Sequence, residues 1–187
     1  MMFVFSCFTG LAIADMEKLE YRHIQTAADG QRYIRKERQK TKVEFVVPLH
    51  PIAENIISHC RNAQAGNEEQ QTVKEKGDSL VFQPHCSRSV MGKNLSIVGK
   101  ACGVRQRLSY HMARHTFGTM SLSAGIPIES IAKMMGHASI SSTQIYAQVT
   151  DNKISEDMDR LIAKQSAKEK ETAKREDSEL PENVITH

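Results

Sequence analysis

The side chains best suited to chemistry in this sequence gather between Tyr110 and Tyr146, and they are His111, Arg114, His115, His137 and Tyr146. His111 and Arg114 are three residues apart and His115 is four from His111, so a helix over 109–124 puts them on one face as a small cationic, proton-bearing patch. That spacing is met more commonly by a solvated helix with surface His and Arg, so more context is needed. Gly136 precedes His137, and a turn there places His137 at the start of a further helix, where unpaired backbone N–H groups and the dipole favour an anion. Tyr146 follows nine residues later. A phenol, with an ordinary pKa of about 10, is a nucleophile only in an electropositive setting with a proton acceptor; otherwise it is an amphipathic aromatic at a packing surface. Phosphoryl transfer supplies that setting, because cations must neutralise the nonbridging oxygens as charge builds in the pentacoordinate state.

The elements that must hold these groups follow from pattern and punctuation. MMFVFSCFTGLA opens without a polar lead-in or N-cap, which suggests a fragment lacking an N-terminal part, and it predicts a short buried helix up to Thr9-Gly10. A second helix starts near Ala14 or Asp15, with Asp15 as cap and Met16 and Leu19 facing inward. Strands are expected at Tyr21–Ile24, Gln31–Arg38 and Glu44–Leu49, with the Asp29-Gly30 step turning the first hairpin and Pro48 where a strand can end. A helix over 51–61 with proline in its first turn leads to an apolar-poor loop over 62–78, and Leu80–Phe82 reads as a buried extended piece. Helices follow over 88–102, 109–124, 127–135, 139–146 and 151–165, with Gly103, Gly125 and Gly136 as stops. The stretch IPIESIAKMMGHASISSTQIY has the rhythm of a helix-turn-helix, but two packed core helices give the same rhythm and are the preferred reading. The fold class is mainly α with a small antiparallel β-sheet, an α+β arrangement.

Composition bounds the function. The 187 residues are 40% hydrophobic and 25% charged, which excludes collagen-like, mucin-like and wholly disordered chains. The first fourteen residues are the longest apolar stretch, too short to span a bilayer and without the basic flank of a signal peptide. Residues 1–150 hold 18 basic and 12 acidic side chains (+6) and 151–187 hold 7 and 10 (−3), so the body suits a polyanionic partner without requiring one. Cys7, Cys60, Cys86 and Cys102 form no CxxC pair and no zinc spacing, so they read as reduced thiols in a cytoplasmic protein, with Cys7 as a core residue.

The segment HMARHTFGTMSLSAGIPIESIAKMMGHASISSTQIYAQVT resembles the C-terminal signature of the tyrosine recombinases, or phage-type integrases: HxxR, then GH, then Tyr nine residues on. TGLAIADMEKL is similar to that family's first box, and RQKTKVEFVVPL to its sheet segment with the catalytic lysine. The resemblance implies the tyrosine recombinase catalytic-domain fold over 1–165, followed by a charged tail over 166–187. It implies Tyr146 as nucleophile, His111, Arg114 and His137 as phosphate-site residues, and Lys40 as the hairpin lysine that protonates the leaving 5′ oxygen. Arg114 suits a phosphate clamp because its planar fork bonds two oxygens. Neither a metal nor another cofactor is expected, since these cations do the neutralising, and no ATP is needed because the phosphoester energy is conserved.

One position departs from the pattern. The first box of the family normally reads TGLR, and here it reads TGLA, with Ala12 unable to supply charge. Arg38 is the expected replacement, two residues before Lys40 and so on the same face of a regular strand. Arg35 and Arg32 are weaker candidates, and a solvated basic hairpin accounts for all three otherwise. The function implied is site-specific DNA cleavage and rejoining through a 3′-phosphotyrosyl link, in integration or excision of a mobile element; the alternative is a catalytically impaired DNA-binding relative. The implied partners are double-stranded DNA and further copies of the chain in a tetramer on DNA, with no membrane and with the isolated fragment monomeric.

Overall fold

The apolar opening forms helix α1 (Met2–Thr9), which buries Phe5, Ser6 and Thr9 and stops at Gly10 in the left-handed region, φ 69°. The Ser6 hydroxyl donates to the Leu11 carbonyl and the Thr9 hydroxyl to the Phe5 carbonyl, both at 2.8 Å, so polar groups at this buried helix end are satisfied. A Cβ at Gly10 would stand 2.5 Å from the Phe117 ring, so close approach requires glycine there as well. The computed structural model describes residues 1–65, 78–83, 86–146, 158–159 and 161–166.

A single turn, α2 (Ile13–Met16), follows. Asp15 does not cap it. It lies inside the turn at 2% exposure, Ala12 takes the N-cap position without a side-chain bond, and the Asp15 carboxylate accepts from the Gln39 N–H at 2.8 Å. A buried carboxylate serves better tying a distant turn than capping a single helical turn. Met16 and Leu19 are fully buried, as their spacing required. The strand expected at Tyr21–Ile24 is a 3-10 turn over Tyr21–His23, because His23 Nδ1 accepts from the Glu20 N–H at 3.0 Å and its N–H donates back to the Glu20 carbonyl.

Strands β1 (Ile24–Thr26), β2 (Arg32–Glu37) and β3 (Glu44–Pro48) then form one antiparallel sheet in the order β1-β2-β3. Gly30 at φ 83° and an Asp29 carboxylate accepting from Gln31 N–H turn the first hairpin. Ile34, Phe45 and Val47 point to the core, and Pro48 ends β3 opposite Tyr33.

Helix α3 (Pro51–Ala65) runs a turn beyond its expected end, and most of the loop expected after it falls at 66–77, outside the described residues. Leu80 bridges Glu20, and the Val81 N–H donates to the Leu19 carbonyl at 2.8 Å; Val81 and Phe82 are buried as expected, but the chain bends there instead of running extended. Helices α4 (Arg88–Ala101) and α5 (Tyr110–Ser123) start on Ser87 and Ser109, whose hydroxyls accept from Val90 and Met112 N–H. Helices α6 (Ile128–Met134) and α7 (Ser141–Gln144) complete the order, α7 being shorter than its expected 139–146. Its Ser/Thr-rich sequence bonds locally instead, Ser139 Oγ accepting from Ser141 N–H, and the chain closes on Tyr146 as a turn.

The architecture is mainly helical with one small antiparallel sheet, the class the sequence pattern indicated. Two apolar clusters fill it. The larger gathers Phe5, Met16, Leu19, Ile34, Phe45 and Val81 with their neighbours, and the smaller gathers Phe117, Ile131, Met135 and Tyr146. The chain divides into two compact units, Met1–Ala147 and Gln148–His187. In the second, residues 158–159 and 161–166 are helical, with Met158, Leu161 and Ile162 exposed, and nearly all of the expected tail lies outside the described residues. No helix among the described residues is long and apolar enough to cross a membrane.

Candidate active site

Arg114 is the centre of the site. It is 6% exposed on α5, and its guanidinium donates from Nη1 to the Gly10 carbonyl and from Nη2 to the Met135 carbonyl at 2.5 Å. Burial, with the Arg38 charge beside it, brings its pKa down to about 10, so it remains a cation at neutral pH. Arg38 comes from the sheet side and donates from Nη1 to the Gly136 carbonyl at 3.1 Å, which also accepts from the Thr41 hydroxyl at 3.0 Å. Two guanidinia therefore engage consecutive carbonyls at the end of α6. The Arg38 Nε is buried without a hydrogen-bond partner and stands 3.9 Å from Asp15 Oδ2.

Arg38 and Lys40 do not share a strand face. β2 ends at Glu37, Arg38 N–H donates to the Val43 carbonyl, and the Lys42 N–H returns to the Arg38 carbonyl, with Lys42 at φ 58°. Alternation applies only while the chain is extended. Arg38 turns inward to Gly136, whereas Lys40 stands exposed in the turn, and among the described residues no hydrogen bond or ion pair ties it to the cluster. Arg35 is exposed and pairs with Glu44 at 3.2 Å.

His137 also differs from its expected setting. It does not begin a helix: its N–H donates to the Ala132 carbonyl and the Gly136 N–H to Lys133, the paired bonds that close the C-terminus of α6 around a left-handed Gly136. Its backbone donor is thus spent, and only its ring can meet an anion. Nδ1 lies 2.7 Å from Thr143 Oγ1, and burial, with Arg114 and Arg38 nearby, pushes the ring down to about 4, so it is neutral at physiological pH.

Tyr146 is 9% exposed and lies against α5. A Cβ on Gly118 would meet its ring at 2.7 to 2.9 Å, and His115 meets it edge-on with ring centroids 5.3 Å apart. Burial raises the phenol's pKa, opposed by Arg114 and then Arg38. His111 is exposed on the same helix, its Nε2 2.7 Å from His115 Nε2. The structure thus brings Arg38, Arg114, His137 and Tyr146 into one electrostatic neighbourhood, with His111 joined through His115, and leaves Lys40 at its margin.

Four participants were not singled out from sequence for these contacts: Asp15, Thr41, Gly118 and Thr143. Gly118 was detectable, since a glycine inside a predicted helix signals close approach. Thr143 and Thr41 carried no signal beyond their types. His115, on the helix face shared with His111 and Arg114, contacts two side chains of the site, His111 and Tyr146. Among the described residues no three His, Cys, Asp or Glu side chains are grouped to hold a metal ion.

This arrangement can neutralise a tetrahedral anion beside a phenol. The chain belongs to the phage integrase family, which matches residues 1–153. It is 33% identical over 117 residues to the tyrosine recombinase XerC of Listeria welshimeri, covering 60% of this chain and 38% of that protein. Against XerC of Staphylococcus aureus it is 25% identical over 146 residues, covering 78% and 47%. It therefore spans less than half the length of these relatives. Among solved structures, a XerH site-specific recombinase bound to its difH substrate shares the fold with TM-score 0.64 at 20% identity, covering 84% of this chain and 45% of that one. XerA recombinase does so at 0.62, also at 20% identity, covering 82% and 54%.

Proposed function

We propose that this chain is the strand-transferring part of a site-specific DNA recombinase acting in integration or excision of a mobile element. The observation that carries this reading is a buried phenol, Tyr146, in the field of two guanidinia that lie beside a neutral imidazole. In the proposed reaction the Tyr146 oxygen bonds to a backbone phosphorus of duplex DNA and gives its proton to His111. The 5′ oxygen leaves with a proton from Lys40, and a 5′ hydroxyl from another strand reverses the step. Arg114 and His137 donate to the nonbridging oxygens, whose charge grows in the transition state. Arg38 stands in for the arginine absent at Ala12, its unpartnered Nε adding a donor. Recombination then proceeds in a tetramer on two duplexes.

A second reading, a DNA-binding relative with impaired chemistry, is favoured by Ala12 and by Arg114 donating to two backbone carbonyls. Incubation with a nicked duplex that traps the intermediate separates the two. The first expects a covalent protein–DNA adduct from the wild type and none from Tyr146→Phe. Arg38→Ala should lower adduct formation about 100-fold or more, as loss of a transition-state donor does, while Arg35→Ala stays near wild type. Binding without any adduct would establish the second reading.

A further inference from the structure

The geometry points to His115 as a positioning residue for the transfer just proposed, one that fixes His111 through a shared proton while its ring edge keeps Tyr146 against α5. The inference rests on that reading of the site. Its basis is the contact between the two imidazoles: Nε2 of His111 and Nε2 of His115 are 2.7 Å apart, and the rings are perpendicular, centroids 4.2 Å apart at 86°. Two ring nitrogens at that distance need one proton between them, since two N–H groups pointing at each other repel and two lone pairs do as well. The pair therefore holds one proton at this contact, and both Nε2 atoms are committed to it. That leaves His111 Nδ1, rather than its Nε2, free to meet the substrate.

His115 is joined to the nucleophile on its other side. Its ring stands edge-on to Tyr146, 5.3 Å between centroids at 70°, and Gly118 one turn further along α5 leaves the space the phenol fills. Among the described residues, the charged and titratable groups facing the imidazole pair are Arg114 on the same helix and Tyr146 from the turn after α7. Burial lowers the pKa of His115, and His111 and then Arg114 beside it act in the same direction. A proton taken up by His111 enters at its Nδ1 and leaves the Nε2–Nε2 contact in place; only when both rings are charged do two N–H groups face each other, and then the contact with His111 breaks and the edge contact with Tyr146 goes with it. Orientation of His111 and docking of Tyr146 are in this way a single event.

The test separates ring from nitrogen. His115→Phe keeps an aromatic edge for Tyr146 and removes the partner of His111; His115→Gln keeps a donor and removes the ring. In single-turnover cleavage of a nicked duplex, His115→Phe should be slower by about 10- to 100-fold, the cost of a misplaced catalytic group, with duplex affinity unchanged. A wild-type rate for His115→Phe overturns the proposal. A second measurement does not depend on activity. With 13C-labelled tyrosine, the Tyr146 ring signal, identified by its loss in Tyr146→Phe, should stay near its wild-type position in His115→Phe, which keeps the ring edge, and shift in His115→Gln, which lacks it. A Tyr146 signal unmoved in His115→Gln overturns the proposal even if cleavage is observed. If no chain forms an adduct, the recombinase reading falls, and the tyrosine signal alone decides whether the pair positions Tyr146.

Discussion

His137 is held uncharged by burial and by two arginines, and this makes the stability of the chain depend on pH in a definite sense. Its folded value of about 4 lies below the ordinary histidine value of about 6.5, so the unfolded chain binds the proton more readily. Its contribution is complete above pH 6.5 or so and is lost progressively as pH falls toward about 4. Thermal melts across this window should show Tm dropping on acidification, with a smaller drop in His137→Gln, which has no ring to protonate. Gly118 yields a second expectation. An alanine there gains up to about 1 kcal/mol of helix propensity but drives its Cβ into the Tyr146 ring, so the phenol leaves its slot while α5 persists. Gly118→Ala should melt within a few degrees of wild type yet form adduct about 10-fold more slowly, and its Tyr146 should react with acetylating reagents that spare the buried wild-type phenol.

At the scale of elements the recurring device is the helix stop. α4, α5 and α6 end in the same paired bonds: Val104 and Gly103 N–H return to Gly99 and Lys100, Ile126 and Gly125 to Ser121 and Leu122, His137 and Gly136 to Ala132 and Lys133. Gly103, Gly125 and Gly136 adopt φ of 70°, 83° and 60°. These stops were legible because only glycine enters that region freely, so the constraint is written in one residue. Gly136 is also crowded, a Cβ there standing 3.2 Å from Arg38 Cδ and 3.4 Å from Phe45 Cβ. Gly136→Ala should therefore cost about 1–2 kcal/mol in denaturant unfolding and weaken the seat of Arg38. What failed to be legible depended on partners distant in sequence. The Asp15 carboxylate looked like a cap until the Gln39 turn was folded onto it. Arg38 and Lys40 looked co-facial because nothing local announces that β2 stops at Glu37. His137 looked like a helix start because the Ser/Thr-rich stretch after it carries the composition of an N-terminus without a long helix behind it. The types of the site residues could be read from spacing, while which of them meet is decided by tertiary packing.

For the molecule as a whole, the uneven charge, +6 over 1–150 against −3 over 151–187 on counts of 18 and 12, then 7 and 10, bears on how DNA would be held. A body of this kind, binding mainly through phosphates, should lose affinity steeply with salt, the logarithmic slope growing by about 0.9 for each phosphate neutralised. Fluorescence anisotropy on a duplex from 50 to 300 mM salt measures it, and a flat response would contradict a phosphate-tracking surface. The two apolar clusters bear on the chain's behaviour under stress. Arg114, from one buried position on α5, grips the Gly10 carbonyl at the end of α1 and the Met135 carbonyl at the end of α6, so one planar cation bridges the elements lining both clusters. Arg114→Lys keeps the charge but cannot reach both carbonyls with a flat fork. Its unfolding in urea should separate into two steps, the α5–α6 end giving way before the sheet. The residue that would grip a phosphate is also the rivet that lets this unit come apart all at once, so cooperativity of unfolding becomes a property that selection on chemistry preserves without acting on it.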